Sequence, residues 1–583
     1  MTLSYSETQI HIPVLATTPA ITPGTTSAVL DREMDITVNP YAAALHEPGK
    51  SKRAWNAGYI ESFQQSKNGD PVRFELTNGV MAEGRVNIVT MEGGAVSFVS
   101  GKLTAPEKGK FFIMKAPEGG KAGKAIAVVE FPASKTACRV EPTGANGDPE
   151  LWQRRLDEVV CMGMEEADPK VLEEDLALAG EEENIVPLRP DDRAQVVPTN
   201  NSDIVSLQSY PGSPAVLLLD FFGGSTHLWG APTYTRPPVD NYVIRDVWKR
   251  VSEDYIPFNI NVTTDMNVYR AAAPGNRGRC CFTTTPVTAA GAAYFGSWNW
   301  GGEIMCWSVY IGGKSGAEVA AHEVGHMLGL AHQGQSPGEG EYFSGHGGGE
   351  LGWCPIMGVG YYRLLTSWAK GEYENANQPQ DELQTITTAN NSVHYRDDDT
   401  GNTLATSRYL EVKADNTVSA EGVIERSGDT DSFQFTTTGG AITLTASPVA
   451  PADYSNLATK ASIANSADTV IASVDAQDSI SSTISTTLAA GTYTFRVTGS
   501  GKNDPQSNGF TDYGSLGYYS VSGSVAGARQ PTRPSCAPTM KTNLLANKGL
   551  SRCHVSRIID LNKAHPVLAS GLVRFEIGFP PWS

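Results

Sequence analysis

The chain runs to 583 residues, of which 40% are hydrophobic and 19% charged, and it carries a net charge of −18. Such a length exceeds what one core fills and implies roughly three to four domains. The acidic balance excludes the basic surfaces that nucleic acids and anionic membranes require, and no apolar run approaches the ~20 residues of a membrane span.

Residues 1–53 open with a stretch from Met1 to Ala20 that lacks Lys and Arg and is interrupted by His11 and Pro13. It does not read as a secretory signal, and the segment is expected to be poorly ordered. From 54 to 164 short apolar runs alternate with Gly-Gly and Asn-Gly turns, as at Val72–Leu76, Val86–Thr90, Ala95–Val99, Phe111–Ile113 and Ile126–Phe131. That spacing predicts a compact all-β unit. Residues 165–212 are acidic, from Glu165 through Glu181–Glu183 to Asp192, then Pro-rich to Pro211, and read as a linker.

Between 213 and 392 the pattern changes. Val216–Asp220 is a continuous apolar run, expected as a buried strand. Val243, Val247 and Val251 recur at four-residue spacing within Val239–Tyr255, which predicts an amphipathic helix. Strands are expected over Phe258–Thr264, Cys280–Thr284, Ala292–Gly296 and Met305–Tyr310, and a helix over Lys314–Leu330. The order implies an α/β domain with a mostly parallel sheet. Residues 393–527 are rich in Thr, Ser and Val, with strands at Ser432–Thr437, Ile442–Ala446 and Thr492–Thr498, and predict a β-sandwich. Residues 528–583 have no clear period and stay unassigned.

The chemistry concentrates in His322-Glu323-Val324-Gly325-His326-Met327-Leu328-Gly329-Leu330-Ala331-His332. On a helix His322 and His326 lie one turn apart on one face, so both imidazoles reach one ion. Glu323 stands beside the metal, placed to take a proton from a bound water. Gly329 permits a sharp turn that brings His332 round as the third ligand. Three nitrogens leave a fourth tetrahedral position open, which suits a catalytic zinc. His346, in the Gly-rich stretch Ser344–Gly349, reads as a loop rim, since His332 already supplies the third nitrogen.

HExxHxxGxxH is the signature of the metzincin zinc peptidases, and Cys354-Pro355-Ile356-Met357-Gly358, with its Met 25 residues after His332, resembles their methionine turn. The resemblance covers about Ala215 to Leu383. Within that clan the chain is similar to bacterial secreted reprolysin-like metallopeptidases with a C-terminal pre-peptidase-like sandwich. Asp429–Phe433, Ala490–Tyr493 and Tyr513–Tyr518 carry that likeness. Two positions depart from family patterns: Gln333 follows the third histidine, and Val359 stands where some metzincins place a tyrosine, with Tyr361 and Tyr362 following. The resemblance implies a multidomain protein, with an α/β metzincin catalytic domain flanked by an N-terminal all-β pro-segment and a C-terminal β-sandwich. It also implies zinc as cofactor, polypeptide substrates paired along Ala292–Gly296, and a secreted, zymogen-like enzyme.

Several further readings follow. Cys161 or Cys138 could cap the zinc from a pro-segment, although neither sits in a known latency motif and packing is the default role of a buried cysteine. Cys280 or Cys281 could pair with Cys306 across neighbouring strands. Asp397–Asp399, Asp429 and Asp431 could bind calcium through their carboxylates. Against the endopeptidase stand an inactive metzincin scaffold acting in binding or adhesion, and another hydrolase using the same metal chemistry. The intact set of His322, Glu323, His326 and His332 speaks against the scaffold.

Overall fold

The computed structural model describes residues 51–161 and 204–528, apart from 117–124, 143–147, 227–228, 230–232, 285–288, 302–303, 391 and 449–454. The expected N-terminal segment up to residue 50, the acidic stretch from 162 to 203 and the tail from 529 onward lie outside the described residues. What is described is multidomain and mostly β-sheet.

The first sheet is antiparallel and eight-stranded. Its strands are β1 (Lys52–Ala54), β2 (Pro71–Glu75), β3 (Met81–Glu92), β4 (Ala95–Ala105), β5 (Gly109–Lys115), β6 (Ala125–Phe131), β7 (Thr136–Glu141) and β8 (Glu150–Arg155). They pair in the order β1-β8-β7-β6-β5-β4-β3-β2. Every residue of β6 is buried, because the sheet is covered on both faces. Phe111, Ile113 and Val129 face a core of its own with Phe74, Val86 and Cys138. Their neighbours Phe112, Met114 and Val128 face the opposite way, into the core of the next domain.

That domain holds a six-stranded mixed sheet. Its elements are β9 (Val160–Cys161), β10 (Ala215–Asp220), α1 (Asn241–Asp254), β11 (Ile260–Thr263), α2 (Met266–Ala271), β12 (Arg277–Phe282), β13 (Gly291–Tyr294), β14 (Cys306–Ser308) and α3 (Gly313–Met327). The strand order is β11-β10-β12-β14-β13-β9. Pairing is parallel from β11 to β14, while β13 runs antiparallel to both its neighbours. The apolar stripe of α1 packs against α3, and the Tyr255 hydroxyl just beyond α1 donates to the Ala321 carbonyl of α3 at 2.8 Å. A short pair, β15 (Trp353–Pro355) and β16 (Leu365–Ser367), and the helix α4 (Glu382–Ala389) complete it.

Two expected boundaries move. The linker expected to reach 212 ends earlier: Ile204 and Leu207 are core residues, and the Ser209 amide donates to the Val262 carbonyl. Those two apolar side chains inside a polar stretch are what draw it onto the sheet. The N-terminal unit expected to end at 164 also ends earlier, because Val160 and Cys161 form the edge strand of the mixed sheet rather than part of the first sheet.

Between Arg408 and Val525 two five-stranded sheets face each other as a sandwich. Phe433, Phe435 and Phe495 of one sheet and Ile442, Leu444 and Tyr519 of the other meet in its core. The sandwich docks through polar groups on α1 and α4. Tyr513 donates its hydroxyl proton to Asp381 at 2.7 Å and accepts from the Leu383 amide at 2.9 Å. Asn456 donates to Asp254 at 2.9 Å, and the Tyr518 amide to Glu253 at 3.2 Å. Among the described residues no helix is long and apolar enough to cross a membrane.

Candidate metal centre

Helix α3 carries His322 and His326 into a buried space beneath β13, with relative exposures of 8% and 0%. The helix stops at Leu328, Gly329 takes a φ of +101°, and the chain returns His332 to the same point. Each imidazole has its Nδ1 tied outward: His322 to the Ile356 carbonyl at 3.1 Å, His326 to the Leu330 carbonyl at 2.7 Å, His332 to the Glu341 carboxylate at 2.7 Å. Those acceptors require a proton on Nδ1, so Nε2 is left as a bare lone pair facing inward. The Nε2 atoms of His326 and His332 stand 2.9 Å apart, an arrangement that repels unless a cation lies between them. Burial keeps the rings in the ligand form: it pushes His322 down to about 3 and His326 well below the usual histidine range.

Cys161 completes the set. Its Sγ and the three imidazole nitrogens all lie within 4.8 Å of one another, and Sγ is 3.5 Å from His332 Nε2. A thiolate and three neutral imidazoles are a four-ligand set for zinc. The donors therefore fit the metal that the motif implies, with His322, His326, His332 and Cys161 as the residues that would hold it. Of the two readings of Cys161, as a packed cysteine and as a cap for the metal, the pairing of β9 with β13 favours the second, since it sets Cys161 opposite Ala293 and brings the buried sulfur to the histidines. Cys138 is an ordinary core residue of the first sheet.

Glu323 is 2% exposed, and its Oε1 lies 4.0 Å from Cys161 Sγ while Oε2 has no hydrogen-bond partner. Burial alone raises its affinity for a proton well above the carboxylate norm. It fits only because β13 begins with a glycine: a Cβ at Gly291 would stand 2.4 Å from Glu323 Oε1. A second close approach lies beneath the histidines. A Cβ at Gly325 would meet Met357 Sδ at 2.5 Å, so the methionine turn packs directly under α3. Gln333 is buried, donating to Glu382 at 2.9 Å and accepting from the Tyr373 hydroxyl at 3.1 Å, which anchors the chain just after His332.

The first sheet covers the outer side of this centre. Tyr294 of β13 donates to Glu130 of β6 at 2.5 Å and meets Phe112 edge-on at 5.2 Å. Arg139 of β7 donates to the Phe295 carbonyl at 2.6 Å and lies over Trp300.

Other expected residues fall elsewhere. His346 stays off the centre, with its ring nitrogen 2.5 Å from the Gly509 carbonyl of the sandwich. Tyr361 packs edge-on against Tyr310, and Tyr362 is 60% exposed. Cys280 and Cys306 face each other across β12 and β14 as buried free thiols, and Cys281 is free as well. In the sandwich the carboxylates of Asp398, Glu425 and Asp429 gather within 4.8 Å. Glu425 is 1% exposed with no hydrogen-bond donor on either oxygen, and burial pushes it up to about 9. Asp431 beside them is likewise pushed up to about 9 by burial, although it accepts from the Tyr519 hydroxyl at 2.5 Å. Asp397, Asp399 and Asp431 are not among the gathered donors, and Glu425 was missed because a single glutamate at the end of a strand carries no sequence signal.

Sequence reasoning missed two more residues: Glu341, the partner of His332, and Tyr342, whose ring lies 4.4 Å from that of His332. Both stand in an irregular loop without periodicity.

No family model and no curated protein matches this chain. Among solved structures it is similar to the pre-peptidase C-terminal domain of a collagenase from Bacillus anthracis, at 14% identity. That match covers 20% of this chain and 93% of the other, with a TM-score of 0.14.

Proposed function

We propose that this protein is a zinc-dependent endopeptidase of the metzincin type, held latent by its own N-terminal region. The observation that carries the reading is the convergence of three Nδ1-anchored histidines and Cys161 beside a buried Glu323 whose Oε2 has no hydrogen-bond partner. When bound, zinc polarises the scissile carbonyl and makes its water acidic enough to ionise near neutral pH. Glu323 would accept the water proton and return it to the leaving amine, and its raised proton affinity suits both halves of that transfer. With β9 displaced, β13 would offer a free edge to an extended polypeptide, and backbone pairing gives affinity with little sequence selectivity. The segment 160–161 already uses that edge, with Val160 opposite Tyr294 and Cys161 opposite Ala293.

Removal of the metal tests the reading. Chelation by 1,10-phenanthroline is expected to abolish casein cleavage by the activated protein, and zinc added back is expected to restore it. Undiminished cleavage by a metal-free preparation counts against it.

The carboxylate cluster of the sandwich supports calcium there, since Glu425 and Asp431 must be neutralised by protons or by a cation. Their raised values mean that the folded state holds protons that the unfolded state has released. Without calcium, stability is therefore full below the ordinary carboxylate range and falls as pH rises toward about 9. Calcium is expected to raise the Tm clearly at pH ~8 and little at pH ~5. An unchanged Tm at pH ~8 removes calcium from the description.

A further inference from the structure

Tyr342 sits between two pinned residues. Glu341 holds His332 Nδ1 at 2.7 Å. Phe343 is buried and stacked on Tyr373 at 4.4 Å, and its backbone bonds to Gln333 on one side and Val359 on the other. With its neighbours fixed, Tyr342 turns the opposite way from Phe343, into the cavity lined by Ala290, Gly291, His322 and Glu323. Its ring lies 4.4 Å from His332 and 6.1 Å from His322. Cys161, whose sulfur stands at the fourth ligand position, is among the groups that act electrostatically on its hydroxyl.

From this placement we propose that Tyr342 is a catalytic residue, whose hydroxyl donates a hydrogen bond to the oxyanion of the tetrahedral intermediate. The inference rests on the peptidase reading above. The sulfur of Cys161 marks where oxygen atoms of the reacting centre would gather; the Glu323 carboxylate lies beside it as acceptor, and Tyr342, which lines the same cavity as Glu323, brings a hydroxyl donor. As the water oxygen bonds to the carbonyl carbon, the C=O π pair moves onto the carbonyl oxygen and Glu323 takes the water proton. Tyr342 stabilises that oxygen without giving up its own proton. The C–N bond then breaks, the amine nitrogen takes the proton from Glu323, and the C=O bond re-forms. A donor aimed at developing charge does more for the transition state than for the ground state. Tyr361 lines the same cavity but packs edge-on against Tyr310, and Tyr362 is 60% exposed, whereas Tyr342 alone of the three has its ring against His332.

The test compares Tyr342→Phe, Tyr342→Gln and wild type as full-length chains activated by limited proteolysis, after zinc content and Tm have been matched. Tyr342→Phe is expected to lower kcat by ~10²–10³-fold with KM within about threefold. A phosphinic peptide, which mimics the tetrahedral intermediate, should lose affinity by the same factor as kcat/KM, while a product peptide binds unchanged. Tyr342→Gln, which keeps a donor, should recover part of the loss. Unchanged kcat, or a loss confined to KM, overturns the proposal. A second readout needs no catalysis: in the intact chain Tyr342→Phe should expose the Cys161 thiol to a disulfide reagent several-fold faster. If activated wild type cleaves nothing, the peptidase reading fails, whereas an unchanged thiol rate shows that Tyr342 does not act on the sulfur.

Discussion

Glu323→Ala is expected to remove casein cleavage from the activated protein, with a loss of at least ~10²–10⁴-fold in kcat, while zinc content stays at the wild-type level. The separation of the two readouts comes from geometry. Glu323 is not among the gathered donors, which are His322, His326, His332 and Cys161, and its Oε2 has no partner in the folded chain. Truncation therefore leaves the donor set whole. It also removes a buried carboxyl with no hydrogen bond on that oxygen, so the variant should be at least as stable as wild type. Retained cleavage would falsify the assignment of the general base. Lost zinc would instead place Glu323 in the metal's own shell.

The second large effect concerns Cys161. Replacing it by Ala in the intact chain opens the fourth donor position but leaves β9 against β13. The covering sheet also stays docked through Tyr294 with Glu130, Phe112 with Tyr294 and Arg139 with the Phe295 carbonyl. Aromatic contacts of this kind contribute about 0.5–1.5 kcal/mol each beyond their buried area, so the substrate edge remains largely covered. Cys161→Ala is thus expected to raise cleavage by the intact chain at least ~10-fold, equivalent to ~1.4 kcal/mol of latch strength. Proteolytic removal of the N-terminal region should raise it further. Cys138→Ala offers the contrast, since Cys138 belongs to the first sheet's core. It should change stability and not activity. Equal cleavage by intact wild type and Cys161→Ala would show that the sulfur does not restrain the site.

The histidines and Glu323 were legible because their signal is local. Two of the gathered imidazoles share a helix face, and the third follows a glycine whose φ of +101° is one that glycine adopts freely. The helix α1 and the strand β10 were legible for the same reason, from spacing and from a continuous apolar run. Cys161 was not. It lies 162 residues from Glu323, in a two-residue strand whose place is set by pairing with β13 rather than by any pattern of its own. Sequence can show that a cysteine prefers burial, but not against which partner. Tyr342 and Glu341 escaped likewise, because an irregular loop has no period and its side-chain directions depend on Phe343 and Gln333 packing on either side. The double burial of β5 and β6 was legible only as apolar runs, since the second face exists only once the next domain is present.

The most direct measurement is metal analysis of the purified intact chain and of His326→Ala, combined with casein cleavage by wild type before and after limited proteolysis. The arrangement of His322, His326, His332 and Cys161 predicts one zinc per wild-type chain, little or none in His326→Ala, and cleavage that appears on proteolysis. A wild-type chain that holds no zinc, or a zinc-loaded chain that cleaves nothing in either form, contradicts a latent zinc endopeptidase.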